Sequence, residues 1–242
     1  MKSGEKLKLV PTRISRGCSA QPLEPLKART DNALKAGGAL ELGIVLDQSS
    51  SMSTLVNEAL AAFNTCVDDQ RNVKCAASKG TALSLALFND TSRLLYDALP
   101  IAEAPPLTRE LYKPSGNTAL NDAIGQMIRA IGKRAKRQTR VLIAILTDGA
   151  ENASRKFSKA DILQMITYRR TTYDWQFIFI GPPEALDYAL SIGIPKSNVM
   201  SFSADIKIRR AHNSNTPVGH SCLAHAFGRH RERHIDIPDF LA

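Results

Sequence analysis

Residues 41–60 read ELGIVLDQSSSMSTLVNEAL. Their first part is a nearly continuous apolar run, from Leu42 to Leu46, which is typical of a strand buried on both faces of a sheet. Apolar residues then recur every three or four positions from Leu55 to Val67, which predicts an amphipathic helix ending near Gln70. Asp47 and a cluster of serines separate the two. The pattern predicts a central parallel strand with polar residues at its carboxyl end.

The rest of the chain repeats this alternation of strand and helix. Further strands are predicted at residues 81–88, 92–99, 140–146, 175–181 and 198–203, and further helices at 117–138, at 158–172 and after Pro183. The turn at Asn89 and Asp90 is too short for a crossover, so the strand after it pairs in antiparallel fashion. We therefore expect an α/β, doubly wound, mostly parallel Rossmann-like sheet with helices on both faces and one antiparallel edge strand.

Length and charge divide the chain into three parts. A chain of 242 residues with 43% hydrophobic content can bury one substantial core. We predict a flexible basic arm at 1–38, a single domain at 39–203 and a basic, His-rich tail at 204–242. These segments carry net charges of +5, +2 and +2, which together give the +9 of the whole chain.

Targeting signals and cysteine spacing narrow the class of protein. No stretch approaches the roughly 18 apolar residues that a membrane helix needs, and the N-terminus lacks the apolar core of a secretory signal. We therefore expect a cytoplasmic protein. The four cysteines show no Cys-x-x-Cys spacing, so reduced thiols are expected rather than a zinc framework or a disulfide scaffold.

Oxygen-bearing side chains stand in three loops that a parallel sheet brings to one edge. These loops follow the first strand, precede the helix near residue 120 and follow the strand that begins at Arg140. Candidate ligands are the carboxylates and hydroxyls of Asp47, Ser49, Ser51, Thr118 and Asp148.

A hard divalent cation, Mg²⁺ or Mn²⁺, suits such a set, because it contains oxygen donors and no His or Cys. No Lys or Arg lies in the three loops to balance the two carboxylates. As an alternative, Ser49, Ser51 and Thr118 could be helix caps, and Thr147-Asp148-Gly149 an ordinary turn. Two strand-end aspartates facing one crevice favour the metal site, because capping alone does not require them.

The three loops together resemble the metal-ion-dependent adhesion site (MIDAS) of von Willebrand factor type A (VWA) domains. The matching residues are Asp47-x-Ser49-x-Ser51, Gly116-Asn117-Thr118 and Thr147-Asp148-Gly149, over about residues 39–203. The sequence is most similar to the stand-alone bacterial and phage members, whose loops read like DxSGSM, GxTAL and ITDGxEN.

This resemblance implies a non-enzymatic protein-binding or assembly module. Asp47, Ser49 and Ser51 would be first-loop ligands or hold waters, Thr118 would be the second-loop ligand, and Asp148 would be the third-loop carboxylate. A Glu or Asp from a partner protein would fill the open coordination position of the cation.

Three nearby positions carry further expectations. Ser50 stands where the family usually has Gly, so a positive φ there would cost about 1 kcal/mol or more. Asp122 and Asn152 are expected to orient ligands or waters. Asp122 could instead favour the first turn of its helix.

Three other functions remain open. The basic arm and tail could bind nucleic acid electrostatically, although the arm has no aromatic residue for base stacking. The aspartates are also faintly similar to those of haloacid dehalogenase phosphatases, but Ser49 replaces the general acid of those enzymes. In the tail, Cys222, His225, His230 and His234 could hold zinc, with a solvated tail as the alternative.

Overall fold

The apolar run after Glu41 forms the central strand of a sheet in the computed structural model, which describes residues 26–27, 40–71 and 80–201. The strands are β1 (Leu26–Lys27), β2 (Leu40–Asp47), β3 (Ala82–Phe88), β4 (Ser92–Pro100), β5 (Arg140–Leu146), β6 (Gln176–Gly181) and β7 (Val199–Ser201). The helices are α1 (Val56–Arg71), α2 (Leu120–Gly132), α3 (Lys159–Tyr173) and α4 (Pro183–Ser191). Short 3-10 helices span Ser50–Leu55, Ile101–Glu103 and Lys196–Asn198.

These strands form one sheet in the order β1-β4-β3-β2-β5-β6-β7. β3, β2, β5, β6 and β7 run parallel to one another, and β4 pairs with β3 in antiparallel register. The predicted α/β, doubly wound architecture is therefore confirmed. β1 pairs with β4 outside it, so the antiparallel strand has a two-residue neighbour at the edge.

Both faces of the sheet are covered by helices. On one face, Leu42 and Ile44 of β2 pack with Phe63 and Cys66 of α1. On the other face, β5 and β6 pack with residues of α2, α3 and α4. At Gly43 a Cβ atom would meet Met127 and Ile131 of α2 at 3.0 Å, so this glycine lets α2 lie close to the central strand.

The start of α3 agrees with the sequence prediction, and the end of α2 does not. α3 begins where predicted, because Ser158 and Asp161 form a capping box. α2 ends at Gly132, earlier than the basic stretch up to residue 138 suggests. Residues 136–139 form a turn instead, closed by the Lys136 N–H donating to Thr139 Oγ1 (3.0 Å) and the Thr139 N–H donating to the Lys136 carbonyl (3.0 Å).

Several predicted features lie outside the described residues. These are the arm at 1–38 apart from Leu26–Lys27, the tail at 204–242 with its histidines and Cys222, and two further cysteines, Cys18 and Cys75. Cys66 is described; it is buried and unpaired. Among the helices of the described part, none combines the length and the apolarity needed to cross a bilayer.

Candidate metal centre

Three loops meet at the carboxyl edge of the sheet: loop 1 (48–51), loop 2 (115–118) and loop 3 (147–152). Loops 1 and 2 are joined by the Ser50 N–H, which donates to the Gly116 carbonyl (3.1 Å), and by the Ser115 N–H, which donates to the Gln48 carbonyl (2.8 Å). Loops 2 and 3 are joined where the Asn152 N–H donates to the Thr118 carbonyl (3.0 Å). The predicted convergence of the three loops is therefore present in the fold.

Asp47 is fully buried at the end of β2. Its Oδ1 accepts from the Ser49 N–H (2.6 Å), and its Oδ2 accepts from the Thr147 hydroxyl (2.5 Å). Burial raises the pKa of this carboxyl, while the bonds from Thr147 and Ser49 oppose the rise. The Tyr112 hydroxyl donates to the Asp47 backbone carbonyl (2.5 Å), and this bond helps to hold the end of β2 in place.

A chain of oxygen atoms runs from loop 1 to loop 3. The hydroxyls of Ser49 and Ser51 lie 3.1 Å apart, and the Ser51 hydroxyl donates to Asp148 Oδ1 (2.7 Å). Burial also raises the pKa of the Asp148 carboxyl, and the bond from Ser51 opposes this rise. The charge of Asp148 in turn contributes to the raised pKa of Asp47, so ionisation of one carboxyl affects the other.

The surroundings of Gly149 show where Thr118 lies relative to these oxygen atoms. A Cβ atom built on Gly149 would lie 3.1 Å from Thr118 Oγ1 and 3.7 Å from Ser51 Oγ. The hydroxyls of Thr118 and Ser51 therefore border the same glycine. The structure thus brings all five predicted residues to one edge of the sheet.

The oxygen separations are those of hydrogen bonds, and an octahedral cation would require similar separations. Adjacent ligands around Mg²⁺ at 2.0–2.1 Å lie about 2.9 Å apart. The separation between the Ser49 and Ser51 hydroxyls, 3.1 Å, and that between Ser51 and Asp148, 2.7 Å, fall on either side of this value. In the described part of the chain, no cluster of three or more His, Cys, Asp or Glu side chains is arranged to hold a metal. Hydroxyls must therefore supply part of any ligand set here.

Helix capping does not account for these hydroxyls. Ser49 occupies the N-cap position of the 3-10 helix that begins at Ser50, but its side chain makes no capping bond. Ala119, rather than Thr118, is the N-cap of α2. The capping alternative is therefore wrong for Ser49 and Thr118.

Ser50 fits its loop without backbone strain. Among the described residues other than glycine, only Ala98 and Asp174 have positive φ angles. Loop 2 has the glycine that matters instead: Gly116 has φ +74°, and a Cβ atom there would lie 1.9 Å from Asp90 Oδ2. The replacement of the family's usual glycine by Ser50 therefore costs no positive-φ penalty.

The two flanking residues differ in their contacts. Asn152 Oδ1 accepts from the Thr118 N–H (2.9 Å), so this side chain positions a candidate ligand, as expected. The Asp122 carboxylate accepts from the backbone N–H groups of Arg155, Lys156 and Phe157 (2.9–3.0 Å). Asp122 therefore holds the segment after loop 3 in place, and these bonds do not involve any of the five candidate ligand residues.

Sequence reasoning missed the supporting roles of Tyr112, Thr147 and Glu151. The Glu151 carboxylate accepts from the Asn121 N–H at the start of α2 (2.7 Å) and from the Ser154 N–H (2.8 Å). It thereby joins loop 3 to the positive end of a helix dipole. Thr147 and Glu151 could have been found from the sequence, because they flank Asp148 in the motif. Tyr112 lies 65 residues from Asp47, and no sequence pattern indicated its role.

Solved structures share this architecture at low sequence identity. The PilB minor pilin from Streptococcus sanguinis aligns with a TM-score of 0.58 and 10% identity, over 84% of this chain and 64% of that one. The manganese-loaded TRAP protein of Plasmodium vivax aligns with a TM-score of 0.51 and 15% identity, over 68% of each chain. Proximal thread matrix protein 1 (PTMP1) from the mussel byssus, with a zinc-occupied MIDAS motif, aligns with a TM-score of 0.51 and 17% identity, over 77% of this chain.

The chain therefore has a VWA-type fold. It spans 46% of PTMP1, so it matches less than half of that protein's length. No protein-family model matches the sequence, and no curated protein is similar to it in sequence.

Proposed function

We propose that the chain is a metal-dependent protein-binding or assembly module. In this proposal Asp47, Ser49, Ser51, Thr118 and Asp148 hold Mg²⁺ or Mn²⁺, directly or through water. The cation then offers an open coordination position to a Glu or Asp carboxylate of a partner protein. The neighbours with a zinc-occupied MIDAS motif and with bound manganese support the binding of a divalent cation.

The observation that carries the proposal is the chain of oxygens between two acidic residues. Asp47 is fully buried and accepts from the Ser49 N–H, Asp148 is half-buried, and the hydroxyls of Ser49 and Ser51 lead from there to Asp148 Oδ1. No Lys or Arg stands in the three loops to neutralise this charge. Because an unpaired buried carboxylate is costly, a bound cation is the simplest way to balance the pair.

The contacts of Asp47 favour capture of a further carboxylate. Both of its oxygens accept hydrogen bonds from protein donors, the Ser49 N–H and the Thr147 hydroxyl. Its charge is therefore shared with these donors, and a cation beside it keeps an attraction for another carboxylate. The exposed hydroxyl-bearing residues Ser50 and Ser51 leave the outer side of the site open to a partner.

We infer a non-enzymatic role from the same geometry. A phosphatase of the haloacid dehalogenase type needs an acid two residues after the strand-end aspartate, and Ser49 cannot carry a proton near neutral pH. The hydroxyl of Ser49 also contacts Ser51 rather than a basic group. No histidine occurs in residues 1–211 to serve as a general base near the site.

Calorimetric titration with Mg²⁺ and Mn²⁺ tests the proposal. We expect saturable binding to the full chain and its loss in Asp47→Ala/Asp148→Ala. Asp187→Ala is the matched control, because Asp187 is an exposed acid on α4. No saturable binding, or equal binding by the double variant, would contradict the metal centre. Turnover of a phosphate ester that is lost in Asp47→Asn would contradict the non-enzymatic assignment.

Partner capture is tested separately on the same variants. Proteins retained by the immobilised chain in Mg²⁺ are compared with those retained in chelator. We expect a metal-dependent partner that Asp148→Ala no longer retains, and that loses binding when its own contacting Glu or Asp is changed to Gln or Asn. A partner retained equally in chelator would show that docking does not use the cation.

A further inference from the structure

A basic surface lies at the end of the sheet opposite the metal centre. Lys133 follows α2, Lys136 and Arg137 lie in the turn after it, and Arg140 begins β5; all four are exposed. At about 3.3 Å per strand residue, Arg140 stands about 20 Å from Leu146, the last residue of β5 before loop 3 with Asp148. The two sites are therefore too far apart to contact the same small group.

The position of this surface is fixed by the fold. Two hydrogen bonds close the turn between Lys136 and Thr139. The neighbouring Arg134 points inward, where its guanidinium binds Glu41 (2.9 Å) and Asp97 (2.7 Å). The four outward cations are thus presented on an ordered segment rather than on a free end.

Within the described residues, no acidic side chain forms an ion pair with these cations. Residues 123–146 contain no Asp or Glu. Three carboxylates near this end already have partners: Glu41 and Asp97 bind Arg134, and Asp174 accepts from the Gln176 side chain (3.0 Å). Among the described residues, no ion pair forms with Lys133, Lys136, Arg137 or Arg140. Within the part of the chain that the structure describes, this surface therefore has an uncompensated positive charge.

An exposed aromatic ring borders the basic surface. The side chain of Tyr168 is 53% exposed, and its ring packs edge to face against Tyr173, with centroids 5.6 Å apart. The Arg169 guanidinium lies over both rings. It also abuts the end of α2, because a Cβ atom on Gly132 would lie 2.3 Å from Arg169 Nη2. Arg169 therefore connects the ring of Tyr168 with the end of α2, which directly precedes Lys133.

We propose that this end of the molecule binds single-stranded nucleic acid. Lys133, Lys136, Arg137 and Arg140 would contact successive phosphates, and Tyr168 would stack on a base. This pairing of unneutralised cations with an exposed ring suits a single strand, because each nucleotide offers both a phosphate and an aromatic face.

Fluorescence anisotropy with the full chain tests the phosphate contacts. The probes are labelled oligothymidylate of about 20 nucleotides and a duplex of the same length, in chelator. We expect Lys136→Glu/Arg137→Glu to weaken single-strand binding at least about tenfold. The slope of log affinity against log salt should become shallower by about 1.4, the value for two lost contacts on a single strand.

The matched control is Lys113→Glu/Lys196→Glu, which makes the same change in net charge at two exposed lysines elsewhere. We expect it to bind close to the unchanged chain. Equal weakening by the two double variants, with both folded by circular dichroism, would overturn the proposed surface. Unchanged affinity and salt slope in Lys136→Glu/Arg137→Glu would also overturn it.

Tyr168→Leu separates nucleic acid from other polyanions. Loss of base stacking should weaken single-strand binding about fivefold or more and leave duplex binding unchanged. Equal effects on both probes, or equal displacement of the probe by polyglutamate at matched charge, would contradict the nucleic-acid assignment and indicate an acidic protein partner. The Asp47→Ala/Asp148→Ala variant should bind the oligonucleotide normally, so this proposal and the metal centre can fail independently.

Discussion

Gly149 lies beside two of the candidate ligand hydroxyls, those of Thr118 and Ser51. It directly follows Asp148, and it leaves no side chain between the hydroxyls of Thr118 and Ser51. Its need for glycine is steric rather than conformational, because its φ is not in the left-handed region. A substitution here therefore changes the space around the ligands without straining the backbone.

We predict that Gly149→Ala weakens Mg²⁺ binding roughly tenfold, because the added Cβ would lie 3.1 Å from Thr118 Oγ1 and push this hydroxyl aside. Calorimetry on Gly149→Ala, Thr118→Val and the double variant measures this effect. The double variant should bind no more weakly than Thr118→Val alone, because both changes act on one hydroxyl. Additive losses would show that Gly149 acts elsewhere.

At the residue scale, the sequence indicated the five candidate ligands but not what supports them. The ligands stand at strand ends and helix starts, which local patterns reveal. Their supports act across the chain: the Tyr112 hydroxyl reaches Asp47, and the Glu151 carboxylate reaches the Asn121 N–H. Such contacts depend on how loops pack, and no periodicity in the sequence encodes them.

At the scale of the elements, side-chain hydrogen bonds and ion pairs hold α2 in place at both ends. Glu151 binds its first turn, while Arg134, just past its last residue, binds Glu41 of β2, Asp97 of β4 and the Ser84 hydroxyl of β3. Ser84 Oγ also accepts from the N–H of Ala98, whose φ of 52° marks an irregularity in β4. One guanidinium therefore connects three strands to the helix that leads from loop 2.

We predict that Arg134→Met lowers the free energy of unfolding by about 3–5 kcal/mol, because it leaves the fully buried Glu41 carboxylate without its cation. Urea unfolding measures this. Glu41→Leu/Arg134→Met should recover much of the loss, since no buried charge then remains unpaired. Lys133→Met, at the exposed neighbouring position, should change stability by less than about 0.5 kcal/mol. A neutral Arg134→Met would contradict this role.

The elements themselves were largely predictable, and the end of α2 shows why one boundary was not. Alternating apolar strands and amphipathic helices determined the order and class of the sheet. The basic residues after Gly132 suit a helix C-terminus by charge alone. Arg134 instead turns inward to a carboxylate 93 residues earlier, and this tertiary contact ends the helix sooner.

At the scale of the whole molecule, charge is unevenly distributed between the two ends of the sheet. The carboxyl edge holds Asp47 and Asp148, whose pKa values burial raises above their ordinary value of 3.8. Folding therefore favours their protonated forms. Without metal, their contribution to stability falls as pH rises from about 4 through the raised pKa values, because the unfolded chain then binds fewer protons than the folded one.

We predict that saturating Mg²⁺ raises the melting temperature more at pH 8 than at pH 5. Protons compete with the cation for Asp47 and Asp148, so the stabilisation that metal binding provides grows as these carboxyls ionise. Differential scanning calorimetry across this pH range, with and without chelator, measures the difference. Asp47→Ala/Asp148→Ala should show no Mg²⁺-dependent shift at either pH. A larger shift at pH 5 would contradict the assignment of these two carboxyls.

The pairing of β2 with β5 has a consequence for how the chain acquires its site. Leu40 is the register partner of Arg140, so the central strand completes its hydrogen bonding only after about a hundred further residues have joined it. Contacts of such long range form slowly, because loop closure must precede them. During synthesis, Asp47 leaves the ribosome long before Asp148, and the proposed metal centre needs both. Cation binding would therefore indicate that β5 has joined the sheet. A chain truncated before β5 would not bind the metal.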